Sequence, residues 1–464
     1  PSSFRGAPPG RARDGRADSL LMPASVAPES LVSDLRHRVL QVQKKQRLPS
    51  ISAAVARSGE LLWSEAVGVA DNDAGTAATP DTQYRVGSIT KTFTAVAIMQ
   101  LRDAGELELD DRLGDHVPEA AHPGPTIRRM LSHHSGLQRE PAGDLWETME
   151  APTVNELLGR LVEAEQVLEP GRHFHYSNLA FALLGEVVAR RSGQPYVEHV
   201  QERILDPLGL SRTTWAPSGA RAKGYFVEPY SDTLKCERDD IDLLGAASAG
   251  QLWSTTADLC RWGAFLADPV PDVLAPATAE EMHSVHVMLD DRWHEAWGLG
   301  LGLTRDGERI LAGHSGGMPG HLSGFMYSKK DGISAAALTN AGADMQALAV
   351  SLAVAAIDAL PAEPEPWRPA GPPPPEVAGI LGRWWSEGEE SIFSFRDGRL
   401  QARLAYDRPE EEPSVFEPDG TDRYRVVSGR ERGELLRAVR DEAGEVVKLY
   451  WATYPFQREP FTFG

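Results

Sequence analysis

Apolar residues near the start of the chain recur first with a helical period and then in strand-like runs. In the segment 28–44 they recur every three or four positions, which predicts a helix: Leu31, Leu35, Val39 and Val42. Two strand-like runs follow at residues 51–57 and 61–70. Ser58-Gly59 between them is typical of a hairpin turn.

A second helix is predicted from Ser88 to about Asp103, with Gly105 marking its end. Its side chains are apolar on almost every side: Phe93, Val96, Ala97, Ile98, Met99 and Leu101. A helix that is apolar all round is buried, so we expect this one at the centre of a domain.

Strand-like runs return only after residue 290, beyond a middle region of helices and loops at 106–290. They cover residues 297–303, 310–313, 322–328 and 333–339, and a helical pattern at 343–360 follows them. Strands from both ends of the segment thus flank a helical middle. This order predicts an α+β domain whose antiparallel sheet is completed by both chain ends.

Composition divides the chain into four parts. Residues 1–27 are rich in Arg, Gly and Pro and read as a disordered leader, followed by the α+β domain at 28–360. Residues 361–375 hold eight prolines and predict an extended linker. Residues 376–464 alternate short strand patterns with turn signals, which predicts a small β domain, plausibly a barrel.

The net charge and the lack of targeting signals restrict the binding partners and the location that we expect for the protein. A net charge of −20 on 464 residues argues against nucleic-acid binding. No apolar run is long enough for a membrane span or a secretory signal, so we expect a cytoplasmic protein. Two cysteines, Cys236 and Cys260, are too few for a disulfide framework, and no metal-ligand spacing is evident. We therefore expect neither metal nor cofactor.

The first candidate chemical group is Ser88-Ile89-Thr90-Lys91. Residues three apart share a helix face, so Lys91 should lie beside the Ser88 hydroxyl. The free N–H groups of a helix N-terminus could stabilise an oxyanion there. The alternative is an N-cap serine with a solvated lysine, but a lysine within an apolar helix is costly without a purpose.

Two further groups hold candidate residues. Tyr176 precedes a helix, and a nearby ammonium such as Lys91 would make its phenolate more accessible as a base. Asn178 could hold the lysine and a substrate amide. His314 could orient the tyrosine or accept a substrate hydrogen bond, and the following Gly316 and Gly317 allow close backbone approach. Taken alone, the tyrosine motif is better explained as a loop tyrosine packed on the helix. The alternative for the histidine segment is a glycine-rich β-turn.

Taken in order, the motifs Ser88-x-x-Lys91, Tyr176-x-Asn178 and His314-x-Gly316 resemble those of class C β-lactamases, penicillin-binding DD-peptidases and related esterases. The resemblance covers roughly residues 30–360. It implies that Ser88 is the acylated nucleophile and that Lys91 and Tyr176 activate it. It also implies an oxyanion hole from the backbone N–H groups of Ser88 and Gly317, with Gly316 contacting substrate. The segment holding His133 and His134 is structural in the family.

The resemblance departs from a β-lactamase at His314, where those enzymes carry a lysine that binds a substrate carboxylate. A largely neutral histidine is a weaker partner for that group. Family esterases, D-stereospecific peptidases and peptide thioesterases share the histidine. The segment beginning Leu381-Gly382-Arg383-Trp384-Trp385 also resembles the lipocalin-like domain of some of these members. There it could wall the active-site cleft, with Trp384, Trp385 or Trp451 meeting substrate or, more simply, filling a barrel core.

Three hypotheses follow. The first is a serine hydrolase that forms an acyl-Ser88 intermediate on an ester or a D-residue-containing peptide. The second is a thioesterase that releases or cyclises a nonribosomal peptide, with a small or carrier-bound substrate as partner. The third is a protein acylated slowly by β-lactams, acting as a sensor or β-lactamase. The three share their catalytic residues, so the sequence leaves the acyl group and its acceptor open.

Overall fold

The computed structural model describes residues 27–238, 241–361, 366–408 and 411–461. The described residues form two compact units, divided between residues 362 and 363. The predicted leader lies outside the described residues, apart from Ala27. Within the predicted linker, residues 366–374 carry neither helix nor strand.

The first unit contains helices of very different length. The long ones are α1 and α2 near the start, α7 and α10 in the middle and α12 at the end. The full set is α1 Glu29–Gln46, α2 Thr90–Asp103, α3 Leu113–His116, α4 Ile127–Leu131, α5 Leu145–Thr148, α6 Val154–Gly159, α7 Asn178–Ser192, α8 Tyr196–Val200, α9 Ala247–Gly250, α10 Thr256–Ala267, α11 Pro276–Met282 and α12 Met345–Ala359. Single 3₁₀ turns lie at Gly87–Ile89, Leu161–Glu163 and Leu244–Ala246, and a π turn at Gln201–Leu205.

Thirteen strands of the first unit are described, nine of them in one antiparallel sheet. They are β1 Ser50–Arg57, β2 Glu60–Asp71, β3 Thr76–Ala77, β4 Tyr84–Arg85, β5 Tyr225–Val227, β6 Leu234–Cys236, β7 Trp253–Ser254, β8 Val287–Met288, β9 Glu295–Trp297, β10 Gly302–Asp306, β11 Arg309–Met318, β12 His321–Tyr327 and β13 Ile333–Thr339. The sheet order is β3-β2-β1-β13-β12-β11-β10-β9-β8. Because β1 pairs with β13, both ends of the domain complete the sheet, which confirms the predicted α+β class.

Both faces of this sheet are covered. Successive residues of β1 alternate between two apolar cores: Ala54 and Ala56 face the helical middle, and Ala53 and Val55 face the other side. Helices α1 and α12 cover that second side. A strand buried on both faces loses the polar alternation of a surface strand, which explains why residues 53–56 in the middle of β1 are all apolar.

Helix α2 crosses the larger core and is buried along almost its full length, as predicted. Phe93 stacks on Trp262 of α10 with ring centroids 3.9 Å apart, and the Trp262 indole N–H donates to Thr92 Oγ1 at 2.8 Å. This packing fixes the helix axis. The 3₁₀ turn Gly87–Ile89 leads directly into α2, so the position of Ser88 is fixed with it.

Two predicted strands differ from the structure. Residues 297–303 are not one strand, because Gly298 donates to Leu301 O and Gly300 has φ +74°, so the chain turns between β9 and β10. The strand expected at 310–313 continues to Met318. The segment His314-Ser315-Gly316-Gly317 therefore lies within a strand rather than in a turn, and its glycines serve close packing instead of chain reversal.

The second unit is an antiparallel barrel of eight described strands in sequential order. They are β14 Gly382–Ser386, β15 Glu389–Arg396, β16 Arg399–Leu404, β17 Ser414–Pro418, β18 Arg423–Val426, β19 Leu435–Arg440, β20 Val446–Trp451 and β21 Tyr454–Phe456, preceded by α13 Pro375–Ala378. Trp385 and Gln457 exchange two backbone hydrogen bonds of 2.8 and 3.0 Å. This pair joins the two ends of the sheet, which confirms the predicted small barrel.

Aromatic side chains fill the barrel. Trp384 is fully buried, and Trp451 packs against Phe393, Phe416 and Phe456. Of the two roles considered for the tryptophans, Trp384 therefore has the structural one, which is to fill the barrel core. No helix among the described parts of the chain is long and apolar enough to cross a membrane.

Glycine at position 68 allows a close crossing in β2. Gly68 has φ +83°, and a Cβ built on it would lie 2.0 Å from the Pro49 carbonyl oxygen. Gly75 has a similar φ of +65° but open space around it. Gly75→Ala should cost about 1 kcal/mol from backbone strain alone, and Gly68→Ala at least ~3 kcal/mol because of the added overlap. Urea unfolding of both variants measures the difference, and equal losses would contradict the overlap argument.

Candidate active site

Ser88 and Lys91 lie side by side at the start of α2, as their spacing predicts. Lys91 Nζ donates to Ser88 Oγ at 3.0 Å and to the Ala249 carbonyl oxygen at 2.6 Å. The lysine is fully buried. Burial lowers the pKa of Lys91 to about 7, although the Glu140 carboxylate opposes the shift and Arg139 adds to it. A lysine in this condition is neutral in a large fraction of molecules near pH 7, and a neutral amine accepts a proton.

Tyr176 lies between two cations. Lys91 Nζ and the Arg139 guanidinium each lie 5.1 Å from the Tyr176 ring centroid, and the His133 ring stacks on it at 4.1 Å. The phenol is hydrogen-bonded to Ser88. Burial nevertheless raises the pKa of Tyr176 above that of a free tyrosine, outweighing Ser88 and Arg139. The expectation that Lys91 makes the phenolate more accessible was therefore wrong, because desolvation raises the pKa of Tyr176 more than Ser88 and Arg139 lower it.

Asn178 is the first residue of α7, and no described hydrogen bond joins its side chain to Lys91, its expected partner. Its backbone N–H donates to Arg139 O at 2.6 Å, and its side-chain amide donates to Glu140 Oε1 at 2.7 Å. The described hydrogen bonds of Lys91 go to Ser88 and Ala249 instead. Asn178 thus positions a carboxylate at the edge of the site rather than holding the lysine.

His314 faces the same site from β11. Its Nδ1 donates to the Ser315 carbonyl oxygen, which can only accept, so Nε2 carries a lone pair. Nε2 is buried and has no hydrogen-bond partner among the described residues. Burial and the nearby Lys91 charge lower the pKa of His314 to about 3, so this ring is neutral at physiological pH. Its ring lies 6.2 Å from that of Tyr176, edge to face.

Glycines allow the turn before α2 to pack against β11. A Cβ on Gly87, which has φ +51°, would lie 2.6 Å from Gly317 N, and one on Gly316 would lie 1.9 Å from Val86 O. Only glycine permits such an approach. The backbone of Gly317 consequently lies next to the residue that precedes Ser88, which suits a pair of N–H donors around one oxyanion.

These residues line a cleft of about 910 Å³. Its walls contain every predicted site residue except the buried Lys91: Ser88, Tyr176, Asn178, His314, Gly316 and Gly317. Sequence reasoning missed Arg139, Glu140 and Trp297, which also line it. No motif marked these three, although Glu140 lies close after the segment that holds His133 and His134. Three carboxylates, Glu140, Glu295 and Asp344, make the cleft acidic.

A second, much smaller space opens next to Ser88. It holds about 30 Å³ and shares Ser88, Glu140, Trp146, Asn178 and Gly317 with the cleft. The rest of its wall is apolar: Pro141, Leu145, Leu243, Ala246, Ala249 and Met318, with Gly250.

His133 is a structural residue of the site. It is fully buried, and its Nδ1 accepts the Ser177 backbone N–H at 3.1 Å. Burial and the Lys91 charge hold its pKa well below the ordinary value, so the ring stays neutral. Within the described residues no three His, Cys, Asp or Glu side chains gather as a metal site would require.

An α+β domain that brings serine, lysine and tyrosine together at the start of a buried helix has the architecture of the β-lactamase-like class. The chain belongs to this class: the Beta-lactamase family model matches residues 35–358. Residues 373–458 match a model of a domain of unknown function (DUF7586). The chain is 30% identical to "Penicillin-binding protein 4" of Amycolatopsis lactamdurans over 377 residues, which is 75% of this chain and 96% of that protein.

The chain is also similar in fold to solved structures, two of which are as follows. The penicillin-binding protein homologue of Pyrococcus abyssi has a TM-score of 0.64 at 22% identity, over 92% of this chain and 99% of that one. D-amino acid amidase of Ochrobactrum anthropi has a TM-score of 0.59 at 25% identity, over 70% and 98%. The chain spans only 48% of "Beta-lactamase-like protein 2" of Dictyostelium discoideum and 60% of "Protein flp" of Staphylococcus aureus.

Glu140→Gln tests the electrostatic coupling in this site. Because the Glu140 carboxylate favours the Lys91 ammonium, its removal should lower the pKa of Lys91 further. The acid limb of the pH dependence of Ser88 labelling by an activated ester should then move to lower pH. Glu295→Gln, which removes another cleft carboxylate that does not act on Lys91, is the control. A midpoint that stays unchanged or moves upward in Glu140→Gln would contradict the coupling.

Proposed function

We propose that the chain is a serine hydrolase that acts through an acyl-Ser88 intermediate. The observation that carries this proposal is the 3.0 Å hydrogen bond between Lys91 Nζ and Ser88 Oγ, with a lysine whose burial lowers its pKa to about 7. Such an amine can take the serine proton at neutral pH, which is what a weak alcohol nucleophile requires.

The geometry indicates a route for the proton of the Ser88 hydroxyl. Neutral Lys91 accepts the Ser88 proton as Oγ attacks the substrate carbonyl, and Tyr176 stays a phenol that is hydrogen-bonded to Oγ. The backbone N–H groups of Ser88 and Gly317 receive the oxyanion. The proton then passes through the Lys91–Tyr176 pair to the leaving group, and the neutral amine accepts a proton from the incoming water in the second half of the reaction.

The proposed substrate is an ester or a peptide with a D-residue at the reacting carbonyl. Similarity to D-amino acid amidase, at 25% identity and over 98% of that structure, supports this class. The cleft wall supports this class too, because the Glu140 carboxylate and the Asn178 amide are hydrogen-bonding groups that line it together with Ser88. Release or cyclisation of a peptidyl thioester is the second candidate, favoured by a cleft of about 910 Å³ that has room for an amine nucleophile.

His314 argues against β-lactams as natural substrates. A β-lactam carries a carboxylate, and a neutral ring in the cleft wall offers that group no opposite charge. We therefore assign the cleft to uncharged or cationic substrates rather than to carboxylates.

Intact-protein mass after mixing with a D-residue peptidyl thioester tests the proposed function. The wild type should gain the acyl mass and release hydrolysed product, and Ser88→Ala should do neither. Ser315→Ala removes another hydroxyl from the cleft wall and is the matched control. Tyr176→Phe should lower the rate by a factor of about 10²–10⁴. Wild-type turnover by Ser88→Ala would rule the proposal out, and a cyclic product would favour the second candidate.

His314→Lys tests the argument about carboxylates. The added ammonium would face the cleft where the neutral ring stood, so acylation of Ser88 by benzylpenicillin should become at least ~10-fold faster. Turnover of an uncharged ester reports whether the variant is folded. His37→Lys adds the same charge on the exposed surface of α1 and should change neither rate. An unchanged penicillin rate in a folded His314→Lys variant would show that His314 does not decide this preference.

A further inference from the structure

The hydrogen bond between Lys91 and Ala249 determines which way the lysine amine points. Nζ lies 2.6 Å from the Ala249 carbonyl oxygen and 3.0 Å from Ser88 Oγ. A carbonyl oxygen can only accept, so one N–H of Lys91 is directed at Ala249. In the neutral amine this leaves the lone pair free to turn toward the Ser88 hydroxyl. The position of the Ala249 carbonyl group therefore decides how well Lys91 can take the serine proton.

The helix that contains Ala249 is held by a hydroxyl group of the helix that carries Lys91. Helix α9 is a single turn of four residues, so its position depends on its neighbours. Thr94 Oγ1 donates to the Ser248 carbonyl oxygen at 2.7 Å. Thr94 lies three residues after Lys91 on α2, so the two side chains share a face of that helix. Both ends of the Lys91–Ala249 hydrogen bond are thus tied to α2.

Tyr196 fixes the direction of the Thr94 hydroxyl. Its Oη lies 2.7 Å from Thr94 Oγ1. Because Ser248 O can only accept, both contacts are satisfied when Tyr196 donates to Thr94 and Thr94 donates to Ser248. The Thr90 carbonyl oxygen is a more distant acceptor, at 3.4 Å. Thr94 has no exposed surface, so its hydroxyl keeps this direction without competition from bulk water.

Helix α7 holds α9 from a second side. Ser248 Oγ donates to the Phe181 carbonyl oxygen at 2.9 Å. A Cβ on Gly185, about one turn further along α7, would lie 2.3 Å from Ser248 Oγ, so a glycine is needed for α9 to pack this closely. Ser248 is thereby held at two atoms, its carbonyl oxygen by α2 and its hydroxyl by α7. A residue fixed at two points keeps the carbonyl group of the next residue, Ala249, in place.

We propose that Thr94 is a positioning residue for the acylation reaction. Its hydroxyl holds α9 so that the Ala249 carbonyl oxygen keeps Lys91 directed at Ser88, and Tyr196 orients that hydroxyl. Thr94 is fully buried, so it acts through the lysine and not on the substrate. The inference rests on the proposed function, since it presupposes that Lys91 takes the Ser88 proton.

Thr94→Val tests this role, because it removes the hydroxyl and keeps the shape of the side chain. The limiting rate of Ser88 acylation by a p-nitrophenyl ester, measured in a single turnover, should fall by about 10–100-fold because Lys91 is less well directed. The ester concentration that gives half of this rate should stay within about twofold, since Thr94 does not contact the substrate. Thr94→Ser restores the donor and should bring the rate to within about threefold of the wild type.

Thr278→Val is the matched control. The Thr278 hydroxyl is also buried between two partners: it donates to Asp103 Oδ2 at 2.6 Å and accepts from Arg102 at 3.3 Å. These partners lie in the last turn of α2, at the opposite end of the helix from Ser88. The control should therefore keep the wild-type acylation rate within about twofold. Urea unfolding of each variant reports whether it is folded.

Tyr196→Phe tests the same network with a smaller change and does not depend on the folding of Thr94→Val. It removes only the donor to Thr94, so acylation should slow by at least about threefold. A wild-type rate in folded Thr94→Val or Tyr196→Phe would overturn the proposal, as would equal losses in Thr94→Val and Thr278→Val, or a Thr94→Ser variant as slow as Thr94→Val. If neither the ester nor the D-residue peptidyl thioester acylates the wild type at Ser88, the proposed function fails instead, so the two failures are distinguishable.

Discussion

The burial of Lys91 is the constraint on which the site depends. A lysine side chain with no exposed surface is stable only if its amine is hydrogen-bonded or neutral. Both conditions hold here, because Ala249 O and Ser88 Oγ accept from it and burial lowers its pKa to about 7. The apolar surroundings of α2 that make this lysine costly also make it a base. The stacking of Phe93 on Trp262 thus contributes to chemistry through the position of the helix.

The same low dielectric acts on every titratable group around Ser88, and it acts in one consistent way. It keeps Tyr176, His133 and His314 uncharged while it lowers the pKa of Lys91. The site therefore contains one proton acceptor of suitable basicity surrounded by neutral rings that fix geometry. Among the described residues, the charges that act on Lys91 are those of Glu140 and Arg139 at the more exposed edge, so electrostatic changes there can shift its pKa.

Much of the fold could be predicted from sequence, because strands buried on both faces and an all-apolar helix leave clear patterns. Strand β13 at Ile333–Thr339 and the burial of α2 follow from such patterns. The turn inside residues 297–303 did not, because Gly298 and Gly300 look like flexible strand positions until Leu301 pairs back to Gly298. Strands β14, β17 and β21 of the barrel have only five, five and three residues, which is too short for a periodic pattern to define each one.

The predictions for the site residues succeeded and failed for similar reasons. Residues in motifs, such as Ser88 and Lys91, were found because helical spacing places them together. The partner of Asn178 was predicted incorrectly, because a side chain at a helix start can face either way and Glu140 lies 38 positions earlier. Likewise, the direction in which the pKa of Tyr176 shifts depends on how completely the ring is buried, and the sequence does not give the extent of burial.

The pairing of β1 with β13 also bears on how the domain is made. Ile51 lies opposite Thr339, so strand β1 pairs with a partner that follows it by nearly 290 residues. Contacts between such distant segments slow folding, because a long loop must close before they form. During synthesis the β1–β2 hairpin and the apolar α2 helix therefore emerge long before their cover. Until the sheet closes, these apolar segments stay exposed, which is the condition under which partly folded chains aggregate.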